Sequence, residues 1–350
     1  MDKFKHGADI LSYEKYFDGD LIDFSSNINP IGPPKGIENY IFDRLKRLQS
    51  YPDAQYRNLK SKLSNYLKAD EKNICVGNGA MEIIDMAISR FKRALIFVPA
   101  FIEYELRAKF WNLDIEFSNL DHNFEIDFEN LKKILKSETL VILGNPQNPS
   151  GNIISKEKLL NLYEIIKSKN AYLLLDEAFF EFANLDYDTI ELFKKYKFEN
   201  IGIVRAATKF FALPGVRLGY GVFDEEMAKA ITNSQLPWTV NSVAEICAEY
   251  IFKDLGYIKE STQNMDYLRA KLFERLKKIK GLRPIKSHSN YILIECEKSE
   301  DYYFYELLKR GFIIRRCSNY RNLNGNYIRI AVKNENLNDE LIKALEEICI

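Results

Sequence analysis

This sequence has little histidine, little cysteine and no surplus of either charge. His6, His122 and His288 lie far apart among 350 residues, which leaves no zinc-type spacing and no metal site to propose. Cys75, Cys247, Cys296, Cys317 and Cys349 are odd in number and scattered, without a Cys-x-x-Cys. That excludes a disulfide-framed secreted domain and fits free thiols in a reducing cytoplasm. Lys+Arg and Asp+Glu stand at 50 each, so no net field draws the chain to nucleic acid or an anionic membrane. No apolar run approaches the roughly 20 residues that cross a bilayer. Met1-Asp-Lys-Phe-Lys-His6 lacks the apolar core and cleavage site of a secretory signal. Internal repeats and low-complexity linkers are also missing. A soluble globular chain remains, long enough for a large and a smaller domain.

What is present is an alternation of short apolar runs with amphipathic stretches. Strands are expected at 73–77, 94–98, 140–144, 171–175 and 201–204, and helices at 55–68, 79–90 and 156–168. Continuous apolar strands between helices predict an α/β fold, with a mainly parallel sheet covered on both faces. Beyond residue 255 the texture becomes α+β: a charged helix over 259–280, strands at 290–295, 312–316 and 326–332, helices near 301–310 and from 337 onward. The expected organisation is an N-terminal arm (1–36) packing with the small domain, a large domain (37–255) and a small C-terminal domain (256–350). Residues 1–35 read as irregular, ending in the turn-rich Asn29-Pro-Ile-Gly-Pro-Pro34.

Three motifs fall at strand ends: Asn145-Pro-Gln-Asn-Pro-Ser-Gly151, Asp176-Glu-Ala178, and Thr208-Lys209 with Arg217 eight residues on. Ligands in open α/β sheets gather outside the carboxyl ends of strands, so one rim should carry all three. Singly, each has a bland reading as a turn, a helix cap or a solvated charge. Gly77-Asn-Gly-Ala-Met-Glu82 joins a strand to a helix, where backbone N–H groups can hold an anion.

In this order the motifs resemble those of fold-type-I pyridoxal-phosphate enzymes, the aspartate-aminotransferase-like class, over nearly the whole chain. The resemblance implies pyridoxal 5'-phosphate as cofactor, Lys209 as its covalent attachment point and Asp176 as the carboxylate at the pyridine nitrogen. A lysine suits the first role because an amine must attack the aldehyde. A carboxylate suits the second because it keeps the ring protonated and electron-withdrawing. The resemblance further implies that Asn148 bonds the ring's 3-oxygen and Phe101 stacks on the ring. Gly79, Ala80, Met81, Thr208 and Arg217 would take the phosphate. Ala206 stands where the family often has a second hydroxyl. Tyr51, in Tyr51-Pro-Asp53, matches a tyrosine that reaches the cofactor of a partner subunit, which implies a homodimer.

Within that class, His6-Gly-Ala-Asp-Ile10, Asp23-Phe-Ser-Ser-Asn-Ile-Asn-Pro-Ile-Gly32, Phe179 after Asp176-Glu-Ala, and Ile314-Arg-Arg-Cys-Ser-Asn-Tyr320 resemble threonine-phosphate decarboxylases of cobalamin biosynthesis. The resemblance implies a small phosphorylated amino acid as substrate, held by His6, Gly7, Asn27, Asn148, Arg315 and Arg329. The expected reaction is decarboxylation of threonine phosphate to aminopropanol phosphate, with serine phosphate as a further substrate. The alternative is a histidinol-phosphate aminotransferase, which carries tyrosine at the position of Phe179. Arg316 stands where the decarboxylases have aspartate, as a surface change or an added anion contact. A non-catalytic or regulatory relative is the bland alternative. It would have lost Lys209 or Asp176, or would need a DNA-binding domain that residues before 37 leave no room for.

Overall fold

The computed structural model describes residues 7–349. Its strands, in chain order, are β1 (Ile22–Asp23), β2 (Ile74–Asn78), β3 (Arg93–Val98), β4 (Asp114–Asn119), β5 (Thr139–Gly144), β6 (Tyr172–Asp176), β7 (Ile201–Ala206), β8 (Leu218–Val222), β9 (Leu282–Pro284), β10 (Tyr291–Cys296), β11 (Phe312–Ile313), β12 (Arg315–Arg316) and β13 (Tyr327–Ala331). Seven form a sheet in the order β2-β8-β7-β6-β5-β3-β4, mixed only because β8 runs antiparallel to both neighbours.

Alternation along these strands builds the core. Leu95, Phe97, Val141 and Leu143 enter one buried cluster, while Ala94, Ile96, Val98, Leu140 and Ile142 enter another. Successive side chains leave a strand on opposite faces, so a run apolar throughout requires cover on both. The helix Lys156–Ser168 supplies part of that cover. Ser155 caps it by accepting from the Lys158 N–H at 3.3 Å. Leu159, Leu162, Tyr163 and Ile166 recur at helical spacing and are fully buried. Each such side chain contributes about 1.5–3 kcal/mol of transfer free energy, and Ser155→Ala would cost about 1 kcal/mol.

The chain's last third adds an antiparallel sheet, β12-β13-β10-β9. The N-terminal segment is stitched to it. β1 pairs in parallel with β11, Ile22 opposite Phe312, and the Phe24 carbonyl accepts from the Ala331 N–H at 2.8 Å.

The structure corrects several expectations. The single strand foreseen at 312–316 is two, because the chain turns at Ile314 and sends β11 to β1 and β12 to β13. The charged helix starts earlier, spanning Leu255–Leu276, because Asp254 caps it through the Tyr257 N–H at 2.9 Å. β8 escaped notice because Gly219 and Gly221 dilute its apolar run, and β4 because its half-exposed edge reads as polar. The strand pair at 22–23 lies inside a segment read as irregular; two residues carry no period. All parallel strands of the large sheet end on one rim, and that rim carries the motifs.

Candidate active site

β7 ends at Ala206, and the next helical turn, Ala207–Phe210, carries Lys209. Asp176 is the last residue of β6, Asn148 follows β5, and Phe101 follows β3. These four, with Ala80, Met81, Thr208 and Arg217, line one cavity of about 280 Å³. Ala206 lies in its wall, so the position where a hydroxyl was expected presents only a methyl.

Burial sets the charges here. Lys209 falls from an ordinary 10.5 to about 8, first because it is desolvated and then because Arg329 and Arg217 add positive charge nearby. Asp176 moves the other way, raised by burial against the two donors that it faces. The Tyr104 hydroxyl donates to Oδ2 at 2.5 Å and the Ala178 N–H to Oδ1 at 3.0 Å. Tyr104 stays a donor because desolvation, then the negative Asp176, holds its phenol well above its ordinary value. Tyr104 was quoted in the sequence but given no role. The signal was its place one helical turn beyond Phe101, on the same face.

An anion cradle lies at one end. Gly79 precedes the helix Ala80–Ile88 at φ +83°, and a Cβ there would come within 2.5 Å of Arg217 Nη2. Glycine thus lets the guanidinium close against the helix start, where unpaired N–H groups face outward. Gly79 itself stands behind the cavity wall. Thr208 lines the same end.

The opposite end comes from chain termini that the fold brings together. Gly7, Asn27, Arg315, Tyr320 and Arg329 all line the cavity. Gly7 passes so close to the chain at Ser25 that a Cβ would lie 2.5 Å from the Ser25 carbonyl oxygen. Arg315 and Arg329 are direct cross-strand partners on β12 and β13. Arg329 donates to Asn148 Oδ1 at 2.5 Å, to the Tyr320 hydroxyl at 3.0 Å and to the Ser25 carbonyl at 3.1 Å. Tyr320 donates to the same Asn148 oxygen at 3.1 Å, which leaves the amide's NH₂ for the cavity. Among the described residues, Asn27 Oδ1 and Arg329 Nε are buried without hydrogen-bond partners, and such orphans mark a place where a polar ligand belongs. Tyr320 was missed in the sequence, where it read only as the end of a motif.

The family profile "Aminotransferase class I and II" matches residues 19–345. The chain belongs to that family. Among its relatives, a Caldanaerobacter subterraneus subsp. tengcongensis protein provisionally named threonine-phosphate decarboxylase is 36% identical, covering 99% of this chain and 94% of its own. The threonine-phosphate decarboxylase of Salmonella typhimurium is 30% identical over 94% of this chain and 91% of its own. A solved histidinol-phosphate aminotransferase from Clostridium acetobutylicum superposes with a TM-score of 0.90 at 39% identity, over 94% of this chain and 99% of that one.

As a member of this aminotransferase family, the protein is a pyridoxal-phosphate-dependent enzyme of fold type I. The cavity fits that cofactor: a lysine that loses its proton more readily than an ordinary one, a buried carboxylate with both oxygens only partly engaged, and a cradle that any Cβ at Gly79 would fill. Phe179 lies in the cavity wall, edge-on to Tyr291 at 5.0 Å. Arg316 does not line the cavity; it pairs with Asp301 at 2.7 Å and lies over the Phe304 ring. Tyr51 is 79% exposed, stacked on Trp238 at 4.5 Å and away from this chain's own cavity. His6 lies outside the described residues. No helix among the described residues is long and apolar enough to cross a membrane.

Beneath the site lies a network that sequence gave no hint of. Arg205, on β7, pairs with Glu177 at 2.9 Å and Asp188 at 3.2 Å and stacks over Phe180. Burial pushes Glu177 up to about 7 against the pull of Arg205. Glu177 adjoins Asp176, and its N–H donates to Val204 on β7, so the network ties together the two strand ends that carry Asp176 and Lys209.

Proposed function

We propose that this enzyme decarboxylates L-threonine O-3-phosphate to (R)-1-amino-2-propanol O-2-phosphate, for the nucleotide loop of cobamides, and accepts L-serine phosphate as well. The observation that carries the reading is the pairing of Arg315 with Arg329 across two strands, both facing the cavity that holds Lys209. Two fixed guanidinium groups suit a small ligand with two anionic groups, one phosphate and one carboxylate. Gly7 and Asn27 close the same end, with the orphaned Asn27 oxygen available to a ligand N–H. Phe179 offers no hydroxyl where an aminotransferase of histidinol phosphate would have one.

Bound pyridoxal phosphate supplies an aldehyde for covalent attachment and a conjugated ring that accepts the electron pair of the bond that breaks. Thr208, Arg217 and the N–H groups of residues 79–81 would hold its phosphate, Phe101 would pack against the ring, and Asp176 would hold a proton at the ring nitrogen. Lys209, the residue that would hold the cofactor covalently, would accept at Nζ the proton that the incoming substrate amine sheds. The arginine pair would hold the substrate by its anionic groups and so set which bond at Cα breaks. Loss of carbon dioxide would leave Cα one proton short; Lys209 Nζ would return the proton taken from the amine, and the product would leave as the free amine, so the atoms balance. Posture within about an ångström separates this from transamination.

A homodimer and a cytoplasmic setting belong to the same reading. Phe42, Leu45, Leu48, Tyr51, Leu236 and Trp238 are exposed apolar side chains, with Tyr51 stacked on Trp238, and a second copy would cover them while Tyr51 reached the partner's cofactor phosphate. The five free thiols suit a reducing compartment. We read 37–255 as the cofactor unit, 256–350 as the small unit and 1–36 as the arm.

The test offers the holoenzyme threonine phosphate alone, and histidinol phosphate with 2-oxoglutarate, side by side. Carbon dioxide and aminopropanol phosphate from the first are expected. Glutamate from the second, with no carbon dioxide from the first, would establish the aminotransferase instead, the reading favoured by the 39% identity to a solved protein of that name.

A further inference from the structure

Three consecutive residues of the loop after β12 reach three different elements of the large sheet. Tyr320 donates to Asn148, beyond β5. Arg321 grips Glu105, in the helix Ile102–Phe110, with Nη2–Oε1 at 2.8 Å and Nε–Oε2 at 3.2 Å. Asn322 donates to Asn119, the last residue of β4, at 2.5 Å. The loop's other end is fixed to the helix Glu300–Leu308, since Glu300 accepts from the Cys317 and Ser318 N–H groups at 2.5 and 2.8 Å. Between the two anchors, Asn319 accepts from Arg315 at 2.8 Å and Tyr320 accepts from Arg329 at 3.0 Å. Both cavity arginines are therefore oriented by a loop whose far end is held across to the other sheet.

We infer that Arg321 and Glu105 form a clasp that positions Arg315 and Arg329 over the cofactor lysine, and so set affinity for the anionic substrate without touching it. The pair is stronger than an ordinary surface ion pair. It is a two-point guanidinium–carboxylate fork, the Glu105 side chain is only 10% exposed, and the guanidinium lies 4.0 Å from the Phe117 ring centre. Glu105 is also held by Lys109 at 2.6 Å; burial alone would raise its pKa, yet Arg321 and Lys109 bring it below its ordinary value, so it stays charged. Removing the fork frees the loop between residues 319 and 322 while deleting no side chain that lines the cavity. The inference rests on the reading of this cavity end as an anion site, a property that threonine phosphate and histidinol phosphate share.

Arg321→Ala, Arg321→Lys, Glu105→Gln and the double variant Arg321→Ala/Glu105→Gln are compared as holoenzymes. With whichever substrate is turned over, Arg321→Ala should raise KM about tenfold while kcat stays within about threefold. Arg321→Lys should restore part of the loss, and the double variant should be no worse than Arg321→Ala, because the two side chains act as one unit. Two readouts need no turnover: hydrogen exchange of the amides at 318–323 should quicken, and inorganic phosphate should bind several-fold more weakly by calorimetry. The affinity for pyridoxal phosphate should not change. KM and phosphate binding within twofold of the parent would overturn the clasp, as would multiplicative losses in the double variant, or a parallel fall in cofactor affinity. Absence of threonine-phosphate decarboxylation would count against the proposed reaction alone, since exchange and phosphate binding still report on the loop.

Discussion

Tyr104 donates a hydrogen bond of 2.5 Å to Asp176, the carboxylate that ends β6 at the floor of the cavity. With the Ala178 N–H on the other oxygen, each oxygen of a buried acid has one protein donor and a free lone pair. Tyr104→Phe should leave that carboxylate one donor short, at a cost of about 1–3 kcal/mol in denaturant unfolding of the apoprotein. Asp176→Asn should keep cofactor attached at Lys209 yet lose turnover on the order of 10³-fold, since an amide does not hold the ring proton. Near-normal turnover in Asp176→Asn would remove Asp176 from its role.

Lys209 titrates near 8, below an ordinary lysine, because it is buried beside two arginines. The neutral amine is the reactive form, so covalent capture of pyridoxal phosphate by the apoprotein should quicken as pH rises toward 8 and level off above it. The sign for stability follows from the same shift. The unfolded chain binds more protons between about 8 and 10.5, so this residue's contribution makes folding more favourable as pH rises through that window. Borohydride reduction followed by peptide mapping should find the label at Lys209, and Lys209→Ala should trap none. Label on another lysine in that variant would sink the assignment.

Threonine phosphate and serine phosphate differ by one methyl group, worth only about 1–3 kcal/mol in an apolar contact. Their kcat/KM values should therefore lie within roughly two orders of magnitude of each other. Unphosphorylated threonine should be far poorer, because it leaves a buried guanidinium without its anion. Arg329→Ala should cost about 2–5 kcal/mol in kcat/KM for the phosphorylated substrate. Equal efficiency for threonine and its phosphate would refute the anion-anchored site.

Tyr51 points away from its own cavity and packs on Trp238. If it serves the partner's site, Tyr51→Ala and Lys209→Ala subunits should each be impaired alone but recover activity when mixed, since one hybrid site then carries both residues intact. Sedimentation should show a dimer of this chain. A fully active monomer would contradict the shared site.

The strand cores were legible because their composition states their burial. Within β3, β5, β6 and β7 the runs 94–98, 140–143, 172–175 and 201–204 are apolar and buried, and only a strand covered on both faces tolerates that. The motifs at their ends were legible for a related reason, since chemistry at a carboxyl rim needs particular residues at fixed steps from a strand. β8 and β4 were not, because glycines and an exposed edge hide the period.

By itself the sequence determined the fold class, and through a family resemblance it singled out Lys209, Asp176, Arg217, Arg315 and Arg329 as candidates, which the fold brings to one cavity. Only the tertiary structure decided that Tyr104 holds Asp176, that Tyr320 and Asn148 orient Arg329, that Arg316 turns to Asp301, and that Arg321 crosses to Glu105. The physical reason is separation. Arg321 and Glu105 lie 216 residues apart, Tyr104 and Asp176 72, and a hydrogen bond across such distances leaves no pattern in either local segment. It exists because two sheets were brought together by the burial of their own apolar faces.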